Sequence, residues 1–396
     1  MQAVSPGRLA VILGTLVAIG PLAIDTYLPA LPAMAETLSV PVERVETSVA
    51  LYLIGAALGQ LFGGQLSDRF GRHRVAYAGL ALFAVASFGI CFVTELSHLF
   101  ALRLVQAFGG GATVVIAAAS VRDFYTGREA ARVLTTIGLV MLVAPLLAPA
   151  LGALILHSAD WYGIFVMLGL YALLMILVLW RALPHAERRH ARPQGGILSA
   201  YGRVLRHRAA MGYILANAFA FATMFVFITD SAFLYMEHFG ASSKLFPLLF
   251  GANVVVMIAL NRLNIVLLRH FDSPRMLRAG LLLQCASTLV LVTLVVLDQL
   301  TLGLTIPLIM LSVGAVALVV PNALASFLSF FDADAGAATG LNGALQFLLA
   351  GTVGALVTVF HTGSVLPMAA MMFACSLVAT LTFIGLARGQ LPARAA

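Results

Sequence analysis

Charge is scarce in this chain. Only 10% of its 396 residues are Asp, Glu, Lys or Arg, and 61% are hydrophobic, whereas soluble chains run at roughly 25% charged and 45–50% apolar. So few polar residues cannot cover a soluble core of this size, and the mean hydropathy of +1.02 describes a chain whose solvent is mostly lipid. Cysteine is rare as well. Cys91, Cys285 and Cys375 each lie inside an apolar run, a pattern of small buried residues that excludes a disulfide scaffold and implies no redox role. Catalytic constellations are missing too. There are no paired aspartates of a prenyl transferase, no clustered metal ligands (His157 and His361 stand alone at span ends) and no nucleophile beside a base, so neither an enzyme nor a metal is expected. No G-x-x-x-x-G-K-[ST] loop occurs; ATP is not the energy source in this chain, no cofactor is expected, and a proton gradient is the ordinary alternative.

What is present is length without charge. About 20 apolar residues span the hydrocarbon core, and twelve stretches qualify: roughly 9–33, 47–66, 75–94, 98–121, 132–157, 161–181, 211–236, 245–268, 277–297, 300–325, 335–360 and 364–387. The expected fold class is an all-α integral membrane protein of twelve transmembrane helices. With a cytoplasmic N-terminus, Arg44 and Lys244 are the only basic residues in outside loops, Arg103 and Arg262 fall within spans, and the other basic residues lie inside. That is the positive-inside pattern, and it puts both termini in the cytoplasm. It also accounts for the formal charge of +7: the partner of the basic surface is the lipid bilayer, not nucleic acid. Arg8, the first apolar run and the triplet Ala33-Met34-Ala35 imitate a secretory signal, but the run is long and carries Asp25, Pro29 and Pro32.

The longest connection, 182–210, holds six arginines with Pro193 and Gly195-Gly196 and divides the chain into halves at 1–181 and 211–396. Transporters built from six-span halves bind substrate near the midplane and rock one half against the other. Twelve helices without an internal repeat is the competing reading.

The second span ends in Gly64-Gln65-Leu66-Ser67-Asp68-Arg69-Phe70-Gly71-Arg72-His73-Arg74. An ordinary positive-inside loop accounts for the arginines alone. The spacing G-x-x-x-D-R-x-G-R-x-R nevertheless resembles the signature loop of the major facilitator superfamily. Arg103-Leu104-Val105-Gln106-Ala107-Phe108-Gly109 resembles the R-x-x-Q-x-x-G motif of its proton-coupled drug antiporters, and Arg122-Asp123 closes that helix as in the same group. Pro145, Pro149 and Gly152 resemble the fifth-span motif of drug exporters, with alanine before each proline where glycine is usual. Asp25-Thr26-Tyr27-Leu28-Pro29-Ala30-Leu31-Pro32 resembles the first span of the Bcr/CflA branch, whose members export bicyclomycin, chloramphenicol-type drugs and some small metabolites. The resemblance implies a proton-coupled antiporter, acting as a monomer in the bacterial cytoplasmic membrane. It also implies a cytoplasmic lock favouring the outward-open state, made of Gly64, Asp68, Arg69, Gly71, Arg72 and Asp123, with Asp68 near the start of the eleventh span and Arg72 paired with Asp123. The second half carries no copy of the loop, so the lock is one-sided.

Ionisable residues in spans cost on the order of 2.5–3.5 kcal/mol each by insertion scales, so Asp25, Arg103 and Asp230 are expected to face a polar cavity or one another. Asp25 and Arg103 both fall in the outer half of their spans. A carboxyl group that alternates between an arginine partner and a dry, unpaired setting moves a proton; a static ion pair holding two helices is the alternative. Asp230 is expected either opposite Asp25 across the cavity or at the outer rim with Glu237, touching solvent. Tyr27, Asn217, Phe221, Asn342 and Gln346 complete the candidate substrate site, beside Asn253, Arg262 and Gln284, although intramembrane amides more commonly join helices. Phe219, Phe221, Phe225 and Phe227 suit either packing or a greasy cavity. The leading expectation is export of small lipophilic or weakly polar drugs. Export of a hydrophilic metabolite is the other, and it would call for more cavity amides and charges than these.

Overall fold

A computed structural model describes residues 5–124, 127–182, 197–331, 335–360 and 363–387, and the described regions are almost wholly helical. The chain separates into two compact units, Met1–Gln194 and Gly195–Ala396. Among the described residues eleven helical segments are long and apolar enough to cross a bilayer, and the apolar stretch Val143–Ser158 falls where the remaining span was expected. Polarity is inverted relative to a soluble protein. Leu170, Leu174 and Trp180 are exposed, while Arg103, Gln106, Asn217 and Gln284 are fully buried.

In the first unit the leading span, Pro6–Leu38, is broken into α1 (Pro6–Val17), α2 (Ile19–Asp25), a 3-10 turn (Leu28–Ala30) and α3 (Leu31–Leu38). Proline explains the breaks. Pro21 and Pro29 have no N–H to donate to the carbonyls of Val17 and Asp25, four residues earlier, and the α-helix is interrupted at Ala18 and again just after Asp25. Next come α4 (Val42–Phe70), α5 (Arg72–Ile90), α6 (Leu96–Phe124), α7 (Gly127–Ser158) and α8 (Tyr162–Ala182). Helices α4 and α6 pack closely along their length because glycine removes the side chain between them. A Cβ on Gly55, Gly59 or Gly63 would fall on the backbone of α6 between Leu104 and Ala112.

The fifth-span prolines do not divide their helix. α7 runs continuously through Pro145 and Pro149. Gly152 permits a close approach, since a Cβ there would overlap the carbonyl oxygen of Thr26 at the break of the first span.

The second unit begins inside the segment read from sequence as a linker. Residues 197–206 form α9 (Ile197–Arg206), whose Val204 is buried in a cluster with Tyr213, Leu277 and Phe327 while Arg203 and Arg206 stay exposed. An amphipathic decapeptide gains a buried face by folding against the bundle, which a breaker-rich reading of 182–210 overlooked. After it come α10 (Arg208–Ala232), continued by a π-helical turn Phe233–His238, then α11 (Phe246–Leu267), α12 (Ser273–Val296), α13 (Leu302–Gly314), α14 (Val316–Leu328), α15 (Ala335–Val359) and α16 (Leu366–Thr382). α10 is the central helix of this unit and packs on α14, α15 and α16.

Candidate functional site

Arg103 is the largest fully buried side chain of the first unit. Its Nη1 donates to Gln106 Oε1 at 2.6 Å and its Nη2 to the Ala23 carbonyl oxygen at 3.1 Å. The guanidinium carbon lies 4.3 Å from the Tyr27 ring centre, 4.5 Å from that of Tyr52 and 5.8 Å from that of Phe165. Three aromatic faces and the C-terminal end of a short helix therefore stabilise the charge, the first through their quadrupoles and the second through the helix dipole. Gln106 Nε2 continues the chain of bonds to Ser87 Oγ at 2.7 Å. Among the described residues no ion pair joins Arg103 to Asp25, and the expected pairing is replaced by the Ala23 carbonyl two residues earlier.

Asp25 is buried, with 3% of its surface exposed, and its Oδ1 makes no hydrogen bond. It ends α2, where Pro29 withholds a backbone donor, so the carboxyl group sits beside a helix break closed on its other side by Gly152 and Thr26. Tyr27 is fully buried. Its hydroxyl lies 2.9 Å from Ser48 Oγ on α4, and its ring lies 5.8 Å from Phe165. Sequence reasoning missed an acid: Glu46 of α4 is fully buried, two residues before the Ser48 that meets the Tyr27 hydroxyl. The signal was available. α4 starts at Val42, several residues before the apolar run does, and Glu46 falls on the buried stripe of Val45, Val49, Tyr52 and Leu53.

At the other end of α4 the signature turn is centred on Gly71, whose φ of +96° is a conformation that favours glycine. Arg72 Nη1 donates to Ser67 Oγ at 2.5 Å across this turn. Gly64 faces Val115 of α6, with 3.5 Å between a Cβ there and the nearest methyl group. The side chains of Asp68, Arg69, Arg122 and Asp123 lie outside the described residues.

In the second unit, Asn217 Nδ2 of α10 donates to Asn342 Oδ1 of α15 at 2.8 Å, and Asn342 Nδ2 donates to Gln346 Oε1 at 3.1 Å. An aromatic layer adjoins this ladder, with Phe221 4.8 Å from Phe225 and 5.5 Å from Phe347 between ring centres. Gln284 of α12 donates to the carbonyls of Ala220 and Ser312, joining three helices. Asn253 donates to its own helix at Phe250, and Phe227 stacks on Phe250. Arg262 is exposed, contrary to expectation for a span residue, because it lies near the end of α11. Asp230 is 1% exposed while Glu237 is exposed, so the solvent-touching rim is not its position. Asp25 and Asp230 belong to different units, and each is described within its own.

Comparison with known proteins agrees with this architecture. A family model described as Major Facilitator Superfamily matches residues 13–355. The "Bicyclomycin resistance protein homolog" of Haemophilus influenzae is 30% identical over 96% of this chain and 96% of its own length. The "Chloramphenicol resistance protein" of Pseudomonas aeruginosa is 32% identical over 85% of this chain and 80% of its own length. A solved structure of the xylose transporter XylE from E. coli superposes with a TM-score of 0.73 at 16% identity, covering 95% of both chains, which speaks for the fold alone. The chain belongs to the major facilitator superfamily and is a multi-pass membrane transporter, not an enzyme.

Proposed function

We propose that this transporter exports small lipophilic or weakly polar drugs, of the bicyclomycin or chloramphenicol kind, in exchange for protons. One observation carries the coupling: Asp25 is a buried carboxyl group at a helix break, with one oxygen lacking a hydrogen bond and with the nearby guanidinium engaged elsewhere. An isolated carboxylate buried in a dry site costs several kcal/mol, so the dry arrangement holds the neutral acid and the proton leaves only when water reaches the site. Alternating access ties that wetting to the conformational cycle. The drug class rests on the names of the two resistance relatives, and the aromatic layer of Phe221, Phe225 and Phe347 offers an apolar surface suited to it.

The protein acts as a monomer in the cytoplasmic membrane of a bacterium, with both termini cytoplasmic; the distribution of arginines supports the orientation. Gly64, Asp68, Arg69, Gly71, Arg72 and Asp123 set the balance between outward and inward states, and the Arg72–Ser67 bond supports a turn held in one shape. Tyr27 within the first unit, and Asn217, Asn342 and Gln346 within the second, are each buried and hydrogen-bonded, which supports a part for each in substrate binding. The test is intracellular accumulation of radiolabelled chloramphenicol and bicyclomycin in bacteria depleted of their own exporters. Cells carrying this chain should accumulate several-fold less, and an uncoupler should erase the difference. Equal accumulation of both drugs with and without the chain overturns the reading.

A further inference from the structure

Two buried acids, not one, lie among the described residues of the first unit, and the account of proton exchange above uses only Asp25. Glu46 lies near the N-terminal end of α4, fully buried, on the stripe that carries Val45, Val49 and Tyr52. Two residues further along the same helix, Ser48 Oγ lies 2.9 Å from the Tyr27 hydroxyl, and the Tyr27 ring in turn lies 4.3 Å from the Arg103 guanidinium carbon.

The other charged or titratable groups near this end of α4 are few. α3 contributes Glu36, which is exposed; exposed Glu95 directly precedes α6, which contributes exposed His98 and buried Arg103; α5 has Cys91 just beyond its end; Glu43, Arg44 and buried Tyr52 lie on the same helix as Glu46. Arg103 itself has no carboxylate within ion-pair distance among the described residues. Its bonded partners are an amide and a carbonyl, and its stacked partners are rings, none of which carries a formal charge. A buried guanidinium still favours an anion in the same low-dielectric region. Glu46 is the buried acid of α4, the helix that holds Tyr27 through Ser48.

We propose that Glu46 is a second proton-coupling carboxylate, whose charge is tied to Arg103 through Tyr27 at the break of the first span. The inference rests on the proton-exchange reading. Asp25, on the break itself, is the obligatory carrier. Glu46 follows it: when Tyr27 and the guanidinium shift with the break, the anion loses its compensating charge and takes up one proton on a carboxylate oxygen. The return movement restores the guanidinium and releases that proton to water. Neutralising Glu46 therefore leaves a cycle that still runs on the proton of Asp25 but moves fewer protons for each drug molecule.

The experiment uses the full chain reconstituted in vesicles, with protons followed by a trapped pH dye and drug by radiolabelled chloramphenicol or bicyclomycin. Protons moved per drug should fall roughly twofold in Glu46→Gln, with a flattened pH profile, and return in Glu46→Asp. Both variants are first checked for monodispersity and for wild-type drug binding in detergent. A folded Glu46→Gln protein with the wild-type ratio and pH profile overturns the proposal while leaving Asp25 in place. A ratio that falls equally in Glu46→Asp also overturns it, because shape rather than titration is then at work. Wild-type drug transport with no proton movement overturns the exchange reading beneath it.

Discussion

The guanidinium of Arg103 is bonded to the carbonyl oxygen of Ala23 at 3.1 Å and not to the carboxyl group of Asp25, two residues further on. The cation is stabilised by a helix terminus, rings and an amide rather than by Asp25, so on the proposed mechanism Asp25 can change its charge without breaking an ion pair.

Arg103→Lys should therefore fail as a replacement. An ammonium group cannot donate in a planar fork to Gln106 and Ala23 while stacking between Tyr27 and Tyr52. Transport measured in vesicles should fall by at least about tenfold at unchanged expression, on the ordinary cost of losing charge-assisted bonds. A Lys variant at wild-type rate would show that only the charge matters.

Gly152→Ala should destabilise by about 1–3 kcal/mol, because the new methyl group meets the Thr26 backbone, which has no rotamer with which to move aside. Gly20→Ala is the control. No atom lies within 4 Å of a Cβ built at Gly20, and its effect on the thermal midpoint in detergent should be close to zero or slightly favourable. Equal midpoints for the two variants would contradict the close approach.

The amide ladder should couple energetically. Asn217→Ala and Asn342→Ala are each expected to cost on the order of 1 kcal/mol, and the double variant less than the two together, since the 2.8 Å bond can be lost only once. Strict additivity in thermal midpoints would place the two amides in separate roles.

On the proposal that the signature loop sets conformational balance and does not meet substrate, Asp68→Asn should lower transport while leaving drug binding in detergent intact. Loss of both in a well-folded variant would remove the gating role.

Much of the architecture was legible because lipid writes it in length: twelve apolar runs and an arginine-rich midpoint are one-dimensional signals. The break after Asp25 was legible as well, from Pro29 four residues later. What periodicity could not show was the partner of each buried charge. A guanidinium held by the Gln106 amide, a backbone carbonyl and ring faces leaves no complementary charge to find, so Asp25 stood as the apparent mate of Arg103. Glu46 went unnoticed because it lies just outside its apolar run, although the helix begins earlier and carries it inward. For Asp230 the sequence left an inner and a rim position open, and the structure buries it. The π-helical turn after Ala232 extends the seventh span, so Glu237 rather than Asp230 takes the exposed position. For α9 the signal was an amphipathic decapeptide hidden among breakers.

The central claim is that Asp25 gives up and regains a proton as drug is exchanged, and the most direct measurement is drug transport in vesicles under an imposed pH gradient, wild type against Asp25→Asn. The wild type should concentrate chloramphenicol or bicyclomycin in everted vesicles with an acidic interior and release it when the gradient collapses, whereas Asp25→Asn should still equilibrate drug downhill but build no gradient of it. Active accumulation by a folded Asp25→Asn protein at the wild-type rate would contradict the account.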